Sequence, residues 1–581
     1  MRLPTLPVQK AARETVEVFK GYNHNLRISD GEFFDMKNMT SDYYPVLSPR
    51  RERGIYAKPA SPQGMIAKDM LCYVDGADFV VGEERIPMEL STAPEDCPKR
   101  LTSMGAYVII MPDKKYVNTA DLGDYGSMEA SVSAEEVTFS LCTVGGEEYA
   151  DTVASDTEPE NPADLSYWID TSGEKHVLKR YSASAGAWAG ITSTYVKISA
   201  PGIGAPFREF DGITLSGITA EKVRSLNGSA VIWARGEDYI VIPGIVDQVT
   251  QQEEAVTLER RMPAMDFLIE SENRLWGCRY GTAANGEQVN EIYASKLGDF
   301  RNWNCFMGLS TDSYAASCGT DGPFTGAVTH LGIPLFFKEN CVHKVYGNYP
   351  ANYQIKTTVC RGVQKGSHGS LAIVNETLFY KSANAVCAYD GALPVEVSEA
   401  LGNTVYRNAA AGAHGNKYYI SMQDGAGSWH LFVYDTAKGM WHREDEVHAI
   451  DFCAYGGELY CTDGGSRNII AMLGSGERCE DGVQWMAETG ELTLSSPDMK
   501  YISRLALRMS VEPGTEVNLY ARYDVSGEWV HLCNIRGTAL RSFSVPVTPR
   551  RCDHMKLRLE GRGAMKLYSI TKTIEGGSDI S

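Results

Sequence analysis

The densest group of titratable side chains is His442-Arg-Glu444-Asp445-Glu446-Val-His448. Two histidines six residues apart on a strand or turn can share a face and, with a carboxylate, chelate a divalent ion. The same stretch, directly after Trp441, also reads as a solvated turn between two strands. That second reading is the one adopted, with no metal and no cofactor expected. Gly366-Ser-His-Gly-Ser370 has the composition of a nucleophile elbow without its Gly-x-Ser-x-Gly order. Gly202-Ile-Gly204 lacks the third glycine of a dinucleotide loop, and neither a phosphate-binding Gly-x-x-x-x-Gly-Lys nor a His-Glu-x-x-His occurs. Glycoside hydrolysis needs paired carboxylates facing one bond. Asp and Glu are abundant here but fall mostly in turns, where their backbone-bonding side chains are favoured. No catalytic residue is therefore assigned, and the chain is expected not to be an enzyme.

Binding chemistry has more candidates. Arg50-Arg51-Glu-Arg53, Arg260-Arg261 and Arg550-Arg551 are short basic clusters near strand ends. Such arginines pair with neighbouring carboxylates more readily than they grip phosphate. Trp168, Trp188 and Trp529 are candidate stacking platforms for a glycan, although a Trp on a strand more commonly belongs to a core.

The elements that would carry these residues are almost all strands. A hairpin with an apolar or aromatic run recurs around Leu71, Val108, Val231, Leu275, Leu335, Leu378, Tyr418 and Leu459. Five of the seven spacings between these anchors lie between 37 and 44 residues, near the ~40–50 residues of one four-stranded propeller blade. The fold expected is mostly β: a β-propeller of about six to eight blades, interrupted by a small β-subdomain and followed by an antiparallel β-sandwich. The boundaries are an N-terminal arm with a propeller-closing strand (1–54, the strand near Thr15–Phe19), propeller (55–121), insertion (122–212), propeller (213–475) and sandwich (476–581). The sandwich rests on clean alternation at Leu505, Leu507, Met509 and Val511, at Val517, Leu519, Ala521 and Tyr523, and at Met555, Leu557 and Leu559. Turns at Pro513-Gly514 and Ser526-Gly527 separate its strands. The best helical segment is short, 220–226.

Composition agrees with this reading. Gly 56 and Tyr 31 in 581 residues suit tight turns joining short strands. A net charge of −19 argues against general nucleic-acid binding, although a basic stripe can hide in an acidic total. No apolar run approaches the ~18–20 residues that cross a bilayer, so no membrane insertion is expected. Met-Arg-Leu-Pro-Thr at the start has no apolar signal core. The 14 cysteines have no Cys-x-x-Cys and read as buried thiols of a reducing compartment.

Phe19-Lys-Gly21-Tyr-Asn23, then Asp30-Gly-Glu32, Asn38-Met39 and Pro45 through Arg50, resemble the opening of bacteriophage β-propeller tail proteins. These are tail-hub or DNA-stabilisation proteins and relatives in Gram-positive prophages. Glu272-Asn-Arg-Leu-Trp276-Gly, followed by Ile292 through Asp299 and by Asn302-Trp303, is similar to their blade motif. The resemblance implies Phe19 as a buried anchor, Gly21 at a close backbone approach, and Arg50 and Arg51 as carboxylate partners. Asn23, Trp276, Asp299 and Trp303 would be structural or interaction residues. It implies a non-enzymatic structural component of a virion tail, hub or tip, assembled in the host cytoplasm. Partners would be other tail or connector proteins, a homo-oligomeric ring, passing genomic DNA and a host surface glycan. The alternative function is a carbohydrate-binding receptor-recognition module at the phage tail. A polysaccharide-cleaving propeller enzyme comes third.

Overall fold

The computed structural model describes residues 11–92, 99–283, 285–492, 499–524, 527–548 and 550–576. Ser526 of the expected turn and the first ten residues of the expected arm lie outside the described residues. The described chain is almost wholly β, with no α-helix, and the segment 220–226 contributes a single 3-10 turn, Arg224–Leu226.

Seven antiparallel sheets share one plan, spanning residues 62–87, 100–127, 267–317, 326–359, 372–396, 407–443 and 449–471. In each, the second strand is the apolar run visible in the sequence. Tyr107–Met111 and Leu378 through Lys381 show why: neighbouring sheets cover both faces, so a continuous run is buried where alternation would suffice for one covered face. The first strands touch in order: Pro62–Lys68 to Arg100–Met104, to Phe267–Ser271, to Gly326–His330. The 3-10 turn His368–Ser370 bridges to Arg407–His414, which Ala372–Val374 also touches. Ala449–Tyr455 then returns the cycle to Pro62–Lys68. Apolar clusters fill the seams: that between the fifth and sixth sheets, with Phe379 and Tyr418, is continuous with the C-terminal core, and the closing one joins Met65, Leu71 and Val80 to Tyr460 and Ile469.

Three sequence expectations are corrected here. The closing strand is Gly54–Ala57, which completes the last sheet beside Ile469–Ala471. Ala12–Val16 instead pairs with the C-terminal strand Met565–Gly576. The insertion runs on to residue 260, beyond the expected 212: Gly212–Ser216 and Val256–Arg260 form one sheet with Ala130–Ala134, and Tyr239–Pro243 joins Tyr195–Ser199. The hairpin at 230–242 therefore fits the spacing but pairs within the insertion, because a period records strand length and turn, not partner. Among the described residues the insertion has three sheets, and Phe139, Val196, Ile213, Ile240 and Leu258 fill the core between the two larger-spanning ones, 130–260 and 137–252.

In the C-terminal unit, Lys500–Tyr523 pairs along one edge with Val530–Val545. Its other edge pairs first with Met565–Gly576 and then with Met555–Arg562. The alternating set from Leu505 to Leu559 is buried in one cluster. The unit is not a separate body: its sheet continues through Gln484–Thr489, Glu32–Lys37 and Gly21–Tyr22 into Met440–Arg443 of the sixth sheet. Residues 21–37, expected within the N-terminal arm, are thus the splice between ring and C-terminal unit.

Candidate functional site

The starts of several first strands converge around a cavity of about 540 Å³. Arg100 and Phe267 each open a first strand, Asn408 to Ala410 lie at the start of another, and His448 immediately precedes Ala449–Tyr455. The 365–369 segment and the hairpin ends Gln423 and Trp429 complete the wall. No Asp or Glu is among the described lining residues.

Cations and rings are layered against each other. The Arg100 guanidinium carbon lies 4.4 Å from the Phe267 ring centroid, and Phe267 lies 5.6 Å from His368. Trp429 and His448 stack at 3.8 Å with planes 14° apart. Asn408 sits at φ +52 and its amide donates to Gln423 Oε1 at 3.0 Å. That left-handed backbone is uncommon for a side-chain-bearing residue and marks a conformation held by its surroundings. Gly366, at φ +84, lets the 365–369 segment pass Asn408; a Cβ there would stand 3.1 Å from its side-chain oxygen. Burial, then the nearby Arg100, pushes His368 down to about 4, so it is neutral at pH 7. Lys365 is exposed at the rim.

A second arginine-rich site shows the opposite chemistry. Arg53 donates to Glu444 at 2.5 Å and to Asp445 at 2.7 Å. Arg50 grips Glu480 with both terminal nitrogens, at 2.7 and 2.8 Å. Both arginines are buried. Burial alone would raise Asp445, but Arg53 and Arg50 outweigh it and hold the carboxyl below its ordinary range. The cluster rivets the segment before the closing strand to the sixth sheet.

The residues expected from sequence do not assemble into one site. Phe19 is buried 5.8 Å from Phe33, and Gly21, at φ +83, passes so close to the Trp441 carbonyl that a side chain would collide. Asn23 accepts from the Asn25 side chain at 2.7 Å. Trp276 packs edge-on to Tyr353, Trp303 donates to the Phe300 carbonyl at 2.9 Å, and Asp299 caps a turn through Asn302 at 2.6 Å. Arg51 is exposed and, among the described residues, has no ion pair. Trp168 is corrected from platform to core: it is 5% exposed and donates to the Ser155 carbonyl. Trp188 is half-buried against Trp168 and Tyr181. Guanidinium groups of Arg522 and Arg558 already lie 5.1 and 4.2 Å from the Trp529 ring centroid. His442 is buried while His448 lines the cavity, and the described residues contain no group of three or more metal-ligating side chains. Arg100, Lys365, Asn408 and Trp429 were missed. His368 lay in plain view in the discarded elbow segment.

No family model and no curated protein matches the chain. Among solved structures it is similar to an exo-β-1,3-galactanase of Phanerochaete chrysosporium, at 10% identity over 53% of this chain and 94% of that one, with a TM-score of 0.21. It is also similar to a family 43 arabinoxylan arabinofuranohydrolase of Bacillus subtilis, at 7% identity over 52% and 94% of the two chains, TM-score 0.16. A third is an uncharacterized protein of Listeria monocytogenes EGD-e, at 8% identity over 74% and 100%, TM-score 0.18. The expectation of a non-enzymatic virion tail component is corrected at this point, because these neighbours include glycoside hydrolases and no tail protein. Likeness at such TM-scores carries no argument about this chain's own activity or substrate.

Proposed function

We propose that the seven sheets are blades of one propeller, closed by Gly54–Ala57, and that its axial cavity binds an anionic, ring-bearing ligand, an acidic saccharide. One observation carries this: Arg100 and Lys365 line a roomy cavity together with the imidazoles of His368 and His448 and the rings of Phe267 and Trp429, and none of the described lining residues is acidic. Concave sites with apolar walls and a few convergent polar groups are where small ligands are held. Cationic side chains select the anion, the rings take a sugar face, and the Asn408 and Gln423 amides suit hydroxyls. The described lining supplies no carboxylate pair, and the proposal is one of binding.

Titration calorimetry with uronic-acid oligosaccharides and their neutral counterparts tests it. Binding of the acidic set is expected, weakened about tenfold or more by Arg100→Ala or Trp429→Ala, in keeping with the cost of losing a charged or aromatic anchor. Equal affinity for neutral and acidic sugars, or none for either, sinks the reading.

A further inference from the structure

Charge is unevenly placed along the chain. Residues 130–260 hold 20 Asp and Glu against 9 Lys and Arg, whereas residues 500–576 hold 13 Lys and Arg against 7 Asp and Glu. Local pairing leaves much of both excesses standing. In the C-terminal unit Arg504, Arg508 and Arg541 are exposed, and Arg522 sits opposite Lys556 across two strands. None of these five forms an ion pair among the described residues. Among the described residues Val530–Val545, a strand of 16 residues, is paired along one side only, so its other edge presents N–H and C=O groups that no described strand takes up. Arg536 and Arg541 stand along that strand, a charge placement that discourages pairing with an identical edge.

The insertion is the complement. Asp151, Asp156, Glu158, Glu160 and Asp164 are all exposed around the segment leading to Tyr167–Asp170, and none forms an ion pair among the described residues. The insertion leaves the ring between the second and third sheets, while the C-terminal unit grows from the sixth. Each molecule therefore carries a basic surface and an acidic one on different parts of its ring.

We propose that the basic sheet face and open edge of the C-terminal unit form a docking surface for a second copy of this chain, engaged through that copy's acidic insertion. The contact is head-to-tail, so its repetition gives a ring if the rotation closes and a filament if it does not. The −19 charge of each molecule does not forbid it, because at physiological salt charges beyond about 8 Å are screened and the facing surfaces decide.

Sedimentation velocity of the full chain tests the contact. At about 50 mM salt the wild type is expected to sediment as species heavier than 63.8 kDa. Self-association should weaken at least about tenfold by about 500 mM salt. Arg504→Glu/Arg508→Glu/Arg541→Glu and Asp156→Lys/Glu158→Lys/Glu160→Lys should each be monomeric alone, with unchanged melting curves. Mixed in equal amounts, the two variants present matching surfaces again and should reassociate. A wild type that stays monomeric at low salt, association untouched by either reversal, or a mixture that remains monomeric overturns the proposal. So does a basic-face variant whose only loss is binding to heparin or to single-stranded DNA, which would assign the surface to a polyanion.

Discussion

The axial cavity and the Arg50–Arg53 cluster use the same cation in opposite settings. At the cluster, both buried guanidiniums find carboxylates within 2.8 Å. At the cavity, arginine, lysine and histidine converge with rings and amides, and no described lining residue is acidic. A buried charge deprived of its partner is costly, so the first arrangement locks a fold. Cationic side chains set beside rings and amides around open space suit a ligand that enters it. The difference separates structural from functional arginines more sharply than any sequence pattern does.

The comparison breaks most visibly if the cluster is not structural. Arg53→Ala strands Glu444 and Asp445 in the interior and is expected to cost about 3–5 kcal/mol in urea unfolding. Arg100→Ala should cost less than that while weakening ligand binding about tenfold or more. Equal destabilisation by the two would erase the distinction.

Acid sharpens it next. His343 and His368 are held down to about 4 and His442 to about 3, in each case chiefly by burial. Their folded values lie below the ordinary 6.5, so their contribution is complete above pH 6.5 and is lost as pH falls through about 4. Each buried histidine should cost about 1–3 kcal/mol over that window. Asp445 and Glu480, held low by arginine, keep their contribution until pH falls below the ordinary carboxylate range. Melting temperature should therefore begin to drop near pH 6, and His343→Gln, which can still bond Thr320 and Thr357, should flatten the early part of the fall.

Much of the architecture was legible because it depends on local covering. Tyr107–Met111 and the run Tyr418-Tyr419-Ile420 are apolar or aromatic because sheets flank them on both sides, and the alternating set from Leu505 to Leu559 reflects one covered face. Pairing was not legible. Gly54–Ala57 is four residues long, with Tyr56 exposed, and nothing in it signals that it completes a sheet more than 400 residues away. The cavity was hidden for the same reason: Arg100, Phe267, His368 and Trp429 come from separate sheets or turns and meet only because ring closure brings strand starts together.

Asp451 offers a smaller test of that closure, with reversed sign. Its carboxylate accepts from the backbone amides of Met65 at 2.9 Å and Phe452 at 2.8 Å, pinning the seventh sheet to the first. Burial nevertheless pushes it up to about 7 from an ordinary 3.8. A raised carboxyl contributes fully below its unfolded value and loses that contribution as pH rises through the folded one. Asp451→Asn should lower stability by about 1 kcal/mol near pH 5 and by less near pH 8, the reverse of the histidine trend.

The smallest effect is expected from two neighbours of identical type. Arg50 is 7% exposed and bidentate to Glu480; Arg51, one residue on, points to solvent. Both lie in the segment between the strands Ser48–Pro49 and Gly54–Ala57, where one side chain joins the cluster and the other faces solvent. Arg51→Ala should change unfolding free energy by no more than about 0.5 kcal/mol, as surface substitutions away from special features do. Arg50→Ala, leaving Glu480 without its fork, should approach the loss at Arg53. Matching losses at 50 and 51 would mean that Arg51 has a carboxylate partner in solution, and that the cluster extends to the surface.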